Sequence, residues 1–244
     1  MGGYGRGELC PKSDLDLILL HRGRRDRKVL GRTAERLWYP LWDSGLKLGH
    51  SVRTVKEALA LAGNDLNTAT AQLDTRLLAG DADLAEELHR RAGEQWGATG
   101  SRWLAALRDS VAERHAKAGE VAFLLEPDLK EGRGGLRDVH ALHWAEAARR
   151  ILFEGDDEAL AAAHDTVLEV RVELQRRTGK GADRLVLQEQ DAVAAALGDV
   201  DADAMMGRLS AAARTIAWTS DEAWERISSS LRGPRGRVAA ADRP

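Results

Sequence analysis

Two aspartates near the start of the chain have the spacing and the surroundings of a divalent-metal site. Asp14 and Asp16 flank a single leucine, and an apolar run at residues 17–20 follows them. Because side chains alternate along a strand, both carboxylates are expected to project from one face of a buried strand. Two carboxylates this close repel each other unless a cation lies between them, and Mg²⁺ prefers such oxygen ligands. The pair therefore predicts a Mg²⁺ site with Asp14 and Asp16 as its metal ligands and catalytic residues.

A glycine-rich stretch precedes this pair and suits a phosphate group. Gly2 and Gly3 lack side chains, so their backbone can approach a phosphate closely and point N–H groups at it. Ser13 lies directly before the acids and adds a hydroxyl donor. Glycines and paired carboxylates together are typical of nucleotidyl transfer assisted by a metal. A bare Asp-x-Asp is more often a polar strand end, so the hypothesis depends on the glycines and the apolar run.

The segment at residues 126–138 interrupts a long helical pattern. Gly134 and Gly135 precede a predicted helix, whose first free N–H groups are expected to hold an anion. Lys130 and Arg137 add positive charge to the same segment. The competing interpretation is a solvated turn between two domains.

The hydrophobic pattern changes from alternation to helical spacing within the first hundred residues. Residues 14–20 and 46–54 alternate like strands, and Pro40 is expected to kink or end the helix between them. Helices are predicted at about 26–43, 67–79, 82–96, 102–121, 136–153, 157–178, 189–197 and 202–231. The predicted fold class is α+β. A small mixed-sheet domain at 1–98 is followed by an all-helical domain at 99–231 and a flexible tail at 232–244.

Composition excludes several classes of protein. The 244 residues include 36 basic and 39 acidic side chains, a net charge of −3 that argues against a dedicated nucleic-acid binder. Neither a membrane span nor a signal peptide is evident, and we expect no membrane partner. Cys10 is the single cysteine, which excludes an internal disulfide and a multi-thiolate zinc site within one chain. These features predict a soluble, cytoplasmic protein.

The motifs resemble one enzyme superfamily closely. Gly-Gly, ten residues and then DLDL at 14–17 is similar to the signature of the DNA polymerase β-like nucleotidyltransferases. The fuller string, GGYGRGEL at 2–9, resembles the bacterial protein-PII uridylyltransferases and their relatives, the glutamine synthetase adenylyltransferases. Further strings favour the PII-modifying branch: GHSVRT at 49–54, LDTRLLAG at 73–80, EPDLKEGRGGLRD at 126–138 and residues 183–198. The resemblance covers the chain to about residue 230.

This resemblance implies an activity and a set of site residues. The implied reaction is Mg²⁺-dependent transfer of UMP or AMP, from UTP or ATP, to a tyrosine of the PII nitrogen-signalling protein, with release of pyrophosphate. Asp74 is implied as a third catalytic carboxylate, although its helical context also fits a surface residue. The segment at 126–138 is expected to close one side of the nucleotide cleft. The implied nucleotide- and phosphate-binding residues are Gly2, Gly3, Ser13, Lys130, Gly134, Gly135 and Arg137.

Two alternatives stay open beside this interpretation. One is a glutamine synthetase adenylyltransferase-like enzyme, against which the strings at 49–54 and 126–138 speak. The other is a catalytically silent fragment that only binds a partner protein. The chain resembles the transferase core alone, cut at both ends. His164 and Asp165 lie in an ordinary helical pattern without a companion histidine arrangement, so they receive no hydrolase role. His140 and His143 are interpreted as packing and surface residues.

Overall fold

A computed structural model describes residues 1–23 and 26–231, without the side chains of residues 27, 230 and 231. Contacts divide the chain into two units, one comprising residues 1–99 and a second that begins at Gly100. The elements of the first unit are α1 (Gly2–Arg6), β1 (Leu15–Leu20), α2 (Arg27–Asp43), β2 (Leu48–Arg53), α3 (Val55–Ala62), α4 (Leu66–Leu73) and α5 (Ala82–Ala98). The predicted tail at 232–244 lies outside the described residues.

The sheet of the first unit consists of β1 and β2, which pair in parallel from Leu15 opposite Leu48 to Leu20 opposite Arg53. The expectation of a mixed sheet is therefore wrong for the described part of the chain. β1 is half-buried rather than buried, and Asp16 is its one exposed residue. The predicted strand positions are confirmed, because alternation of apolar and polar residues marks a strand regardless of how its neighbours are oriented.

Helices pack on both faces of this small sheet. On one face, Ile18 and Leu20 contact a buried cluster from α3 and α5: Val55, Ala58, Leu59, Leu84, Leu88 and Ala92. On the other face, the rings of Trp38 and Trp42 from α2 lie 5.5 and 5.0 Å from the His50 ring. The helix α2 runs through Pro40 to Asp43, so Pro40 does not end it, and the predicted alternative of a kink stays a prediction. β1 is thus held between two layers while its first residues stay accessible.

Local capping sets the start of three helices in the first unit. The Thr54 side chain and the Glu57 carboxylate form a capping box at the start of α3, a helix absent from the sequence-based expectations. Asp65 and Asp81 are the N-cap residues of α4 and α5, where their carboxylates accept from the backbone amides of Thr68 and Leu84. The predicted helix at 67–79 is too long, because α4 ends at Leu73 and residues 74–81 form a non-helical connection.

The second unit is helical. It comprises α6 (Gly100–Ala118), α7 (Leu136–Ala148), α8 (Asp156–Thr178), α9 (Leu187–Leu197) and α10 (Ala202–Leu231). Its core is formed by buried side chains of α8 and α10, among them Leu160, Val167, Leu174, Leu209, Ile216 and Ile227. The predicted helices are confirmed here, although α7 ends five residues early. In the described part of the chain, no helix has the length and apolarity needed to cross a bilayer.

Candidate active site

The Asp16 carboxylate lies between two glycines of neighbouring elements. Its Oδ1 atom would be 2.3 Å from a Cβ built on Gly49 of β2, and its Oδ2 atom 3.2 Å from a Cβ built on Gly2. Asp14 directly precedes β1, and both carboxylate residues are exposed. Because Asp14 lies just outside β1, a common direction of the two side chains stays a prediction. The predicted pair is accordingly accessible, and the absence of side chains at Gly2 and Gly49 leaves room for the Asp16 carboxylate.

The glycine-rich start forms a single helical turn, α1, rather than an open loop. Gly2 has a φ of +56°, and the backbone nitrogen of Met1 donates to the carbonyl of Asp16 over 2.8 Å. The amides of Gly2 and Gly3 belong to the first turn, where helix geometry supplies no intrahelical acceptor. Ser13 is half-buried at the entry to β1, and its amide donates to the Cys10 carbonyl at 3.0 Å. The structure brings Gly2 and Asp16 together.

Asp74 also contacts α1, and its charge acts on the Met1 ammonium together with that of Asp16. It is the C-cap residue of α4, and its carboxylate forms an ion pair with the Arg6 guanidinium. A Cβ on Gly5 would lie 1.7 Å from the Asp74 carbonyl oxygen, so α1 is in direct contact with this residue. The Asp74 side chain is 10% exposed, which excludes the predicted alternative of a surface residue. Its role as a third catalytic carboxylate stays a prediction.

An apolar cavity of about 360 Å³ adjoins Asp16. Its walls come from β1, from Leu37, Trp38 and Leu41 of α2, and from Leu84 and Leu88 of α5. Arg76 and Tyr4 lie at its rim beside Asp16. An apolar lining offers little to a phosphate group. The backbone amides of the Gly2 turn suit a phosphate, whereas the exposed carboxylates repel it unless a cation lies between them.

The basic residues of the 126–138 segment are already paired with carboxylates in the second unit. The Lys130 ammonium lies 3.7 Å from Asp183 and 4.0 Å from Glu131. The Arg137 Nε atom lies 3.5 Å from the same Glu131 side chain. These side chains are about a third exposed, so the pairs are weak and an anionic ligand can compete with Glu131 for them. A phosphate-binding role for Lys130 and Arg137 stays a prediction.

Gly134 and Gly135 have internal partners for their backbone. The Gly134 amide donates to the Asp138 carboxylate at 2.7 Å, and the Gly135 amide donates to the Gly132 carbonyl at 2.9 Å. The following amides, of Leu136 and Arg137, donate to backbone carbonyls as well. The expectation of free N–H groups is therefore wrong. An anion-binding role for the two glycines stays a prediction that depends on the resemblance alone.

Close packing accounts for the glycines of this segment. Gly134 has a φ of +81°, and a Cβ on it would lie 2.4 Å from the carbonyl oxygen of Ala213 in α10. A Cβ on Gly135 would lie 2.8 Å from the Gly132 carbonyl oxygen. Both positions require the smallest residue because backbone approaches backbone there.

Comparisons with known proteins establish the family. The sequence model of the family described as GlnD PII-uridylyltransferase matches residues 102–152 and 145–224. A bifunctional uridylyltransferase/uridylyl-removing enzyme of Streptomyces coelicolor is 49% identical over 232 residues, 95% of this chain and 27% of the relative. The chain belongs to the GlnD PII-uridylyltransferase family.

Other relatives with the same description extend this finding. The Mycobacterium tuberculosis enzyme is 41% identical over 250 residues, covering 100% of this chain and 31% of its own length. The Caulobacter vibrioides enzyme is 36% identical over 211 residues, covering 81% of this chain and 22% of its own length. The chain thus spans between about a fifth and a third of the curated relatives that it matches.

One residue of this GlnD-family chain, Asp138, was missed as a key residue by sequence reasoning. Its carboxylate is fully buried on α7 and bonds to the Arg114 guanidinium, to His115 Nε2 at 2.8 Å and to the Gly134 amide. Burial alone would raise the pKa of Asp138, but the His115 hydrogen bond and the Arg114 charge outweigh it and hold the pKa below its ordinary value. Asp138 thereby fixes the 126–138 segment against α6.

The histidines of the second unit are placed largely as predicted. His140 is buried, with its ring 6.0 Å from that of Trp144, and His143 is exposed on the same helix. His164 is buried on α8, with its ring 6.1 Å from that of His140. The predicted packing and surface roles of His140 and His143 are confirmed.

Proposed function

We propose that this chain carries the nucleotidyl-transfer chemistry of a PII uridylyltransferase. In this proposal a tyrosine hydroxyl of a PII protein attacks the α-phosphorus of UTP. A bond from that oxygen to phosphorus forms, the bond to the β-phosphate oxygen breaks, and pyrophosphate leaves. AMP transfer from ATP is the second version of the same reaction. The supporting observation is the accessible pair Asp14 and Asp16 beside the Gly2 turn in a chain that belongs to this family.

Different residues of the chain would bind the metal and the triphosphate. Asp14 and Asp16 are the residues that would hold Mg²⁺, which when bound supplies charge neutralisation for pyrophosphate and lowers the pKa of the attacking phenol. Two exposed carboxylates fit such an ion, because hard cations prefer oxygen ligands. Gly2, Gly3 and Ser13 would orient the triphosphate through backbone amides and a hydroxyl. Lys130, Arg137, Gly134 and Gly135 are further proposed phosphate contacts. A cytoplasmic location is part of this proposal.

The decisive experiment is a labelling assay with purified chain, a PII protein, Mg²⁺ and radiolabelled UTP or ATP. We expect label on PII with at least one nucleotide, and no label with the double variant Asp14→Asn and Asp16→Asn. Asp43→Asn, which alters another exposed acid of the first unit, serves as the matched control and retains activity. A folded chain that labels PII with neither nucleotide, or a double variant that labels it normally, contradicts the proposal. The former result favours a silent module that only binds a partner.

A further inference from the structure

Arg76 follows the end of α4 and lies at the rim of the apolar cavity beside Asp16. Its guanidinium donates to the Tyr4 carbonyl at 3.0 Å, and its Cζ atom lies 5.1 Å from the centre of the Tyr4 ring. Both contacts hold the exposed Arg76 against α1, the turn that contains Gly2. The guanidinium is therefore kept beside the turn whose amides suit a phosphate.

The charge of Arg76 acts at the same place as the carboxylates of the candidate site. Burial is the main cause that lowers the pKa of the Met1 ammonium, which donates to the Asp16 carbonyl. The carboxylates of Asp16 and Asp74 oppose this effect, whereas the guanidinium groups of Arg76 and Arg6 add to it. Carboxylates and a guanidinium side by side suit an anion that is bound to a metal ion, because each of its charges meets an opposite one.

Arg76 differs from Arg6 in its partners. Arg6 forms ion pairs with Glu8 and Asp74, and its side chain is 15% exposed. Arg76 is exposed, and among residues 1–23 and 26–231 no carboxylate forms an ion pair with it. The Tyr4 carbonyl accepts from Nη2 of Arg76, so the donors on Nε and Nη1 are available to a ligand. An anion therefore binds Arg76 without first displacing a carboxylate.

We propose that Arg76 is a phosphate-binding residue of the transfer site, which contacts the triphosphate of the nucleotide and then the pyrophosphate that leaves. The inference rests on the proposed function and adds to it a cation in the first unit. Arginine suits this role because its planar guanidinium stays charged and binds two phosphate oxygens at once. Negative charge accumulates on the pyrophosphate as its bond to the α-phosphorus breaks, so the contact is stronger in the transition state than in the bound nucleotide.

Calorimetric titration with Mg²⁺ and inorganic pyrophosphate tests this contact without reference to transfer. In Arg76→Gln we expect pyrophosphate to bind about 10- to 100-fold more weakly, because hydrogen bonds to a charged group are lost. Arg76→Lys, which retains the charge but not the planar fork, gives an intermediate affinity and provides a second variant if Arg76→Gln does not fold. Arg90→Gln alters an exposed arginine of α5 and leaves the affinity unchanged. Wild-type affinity in Arg76→Gln, or no binding of pyrophosphate by the wild-type chain, overturns the inference.

Hydrogen exchange separates phosphate binding from a purely structural role of Arg76. The amides of Gly5 and Glu8 donate to carbonyls within the α1 segment. In Arg76→Gln the contacts of α1 with Asp74 remain, so we expect both amides to exchange at the wild-type rate. Weaker pyrophosphate binding together with faster exchange of these amides would mean that loss of the Tyr4 contact releases α1, and that result overturns the inference.

Labelling of PII then connects this residue to the proposed reaction. We expect kcat/KM for the nucleotide to fall about 100-fold in Arg76→Gln and less in Arg76→Lys, while Arg90→Gln keeps the wild-type value. A wild-type value of kcat/KM in Arg76→Gln overturns the inference and leaves the proposed function intact. A chain that binds pyrophosphate through Arg76 but labels PII with neither nucleotide refutes the proposed function alone.

Discussion

Asp16 on β1 lies directly opposite Gly49 on β2, and the Asp16 carboxylate fills the space that a side chain on Gly49 would need. Strand glycines usually weaken a sheet, so a glycine at this register position marks a close approach. Here the approaching group is the carboxylate predicted to hold Mg²⁺. The position of the Asp16 carboxylate is thus determined by the pairing of β1 with β2 as well as by the Asp-x-Asp motif.

Gly49→Ala is expected to reduce the proposed transfer activity strongly. The new methyl group would lie 2.3 Å from Asp16 Oδ1, so the carboxylate must turn away. A displacement of this size at a reacting centre costs about 100-fold in rate. Because Asp16 is exposed and free to rotate outward, the free energy of unfolding changes by less than about 1 kcal/mol. Initial rates of PII labelling and urea denaturation measure the two effects.

The matched control for this substitution is Gly31→Ala on α2. A Cβ at Gly31 meets no atom within 4 Å, and alanine is the better helix former by about 1 kcal/mol. We expect normal labelling and a slightly higher free energy of unfolding. Full activity in Gly49→Ala would show that the Asp16 carboxylate is not needed where the structure has it.

Gly134→Ala is expected to destabilise the second unit. A left-handed backbone conformation disfavours alanine, and the added methyl would lie 2.4 Å from the Ala213 carbonyl oxygen. Strain and overpacking together lower the free energy of unfolding by about 3 kcal/mol. Circular dichroism during urea unfolding measures it. Gly207→Ala, at a helical position on α10 with open space around it, is the control and leaves stability unchanged or raised. A stable Gly134→Ala variant would contradict the tight contact with α10.

Acid is expected to weaken the second unit through Asp138. Its pKa is depressed in the folded chain, so its contribution is complete above the ordinary value of about 3.9 and is lost as the pH falls through the lower folded pKa. The groups that face it are Arg114 and His115 from α6, with Glu131 next to Arg114. We expect the free energy of unfolding to fall below about pH 4.

The comparison variant for this pH dependence is Asp138→Asn. At neutral pH it removes the shorter of the two carboxylate contacts of the largely buried Arg114, leaves Glu131 at 3.9 Å, and lowers the free energy of unfolding by about 3 kcal/mol. As the pH falls below about 4, the difference in the free energy of unfolding between the two proteins should narrow, because the unfolded wild-type carboxylate then binds a proton before the folded one does. Parallel curves for the two proteins between pH 7 and pH 3 would exclude Asp138 as the source.

Pro40→Ala is expected to stabilise the first unit. Pro40 lies inside α2 and lacks the amide that would donate to the carbonyl of Arg36. Alanine restores that donor. The stabilisation by the restored hydrogen bond exceeds the stabilisation that proline provides by lowering the entropy of the unfolded chain. We therefore expect the free energy of unfolding to rise by about 2 kcal/mol. Thermal unfolding followed by circular dichroism measures this change. A lower melting temperature would show that the helix depends on a bend at Pro40.

Local sequence patterns predicted most of the helices and strands. They failed where contacts between residues far apart in sequence determine the structure. Thr54 and Glu57 have the spacing of a capping box, a signal for α3 that the extended strand pattern through Thr54 obscured. The end of α4 at Leu73 had no comparable signal. There the chain leaves the helix while the Asp74 backbone packs against Gly5, a contact 69 positions away in sequence. Helical spacing of apolar residues therefore extended the predicted helix beyond its actual end at Leu73.

The candidate site shows the same difference between residues that local patterns indicate and residues whose partners are far along the chain. Asp14 and Asp16 were predicted as a pair from their short spacing and from strand alternation, and their role stays a prediction. The structure adds a contact between Gly2 and Asp16 that strand alternation does not specify. Gly49 had a readable signal, since a glycine inside a strand indicates close approach. Arg6 and Asp138 lie in the family-like strings at 2–9 and 126–138, but no local pattern indicated their partners, Asp74 for the first and Arg114 for the second.

Cys10 is a site at which the chain can be labelled by a thiol reagent. It is the one thiol of the chain, it is 1% exposed, and its Sγ atom lies 3.9 Å from the Glu8 carbonyl oxygen. A thiol reagent therefore reaches it only when the structure around Cys10 opens. The alkylation rate measures how often this one buried position becomes exposed, with no second thiol to react.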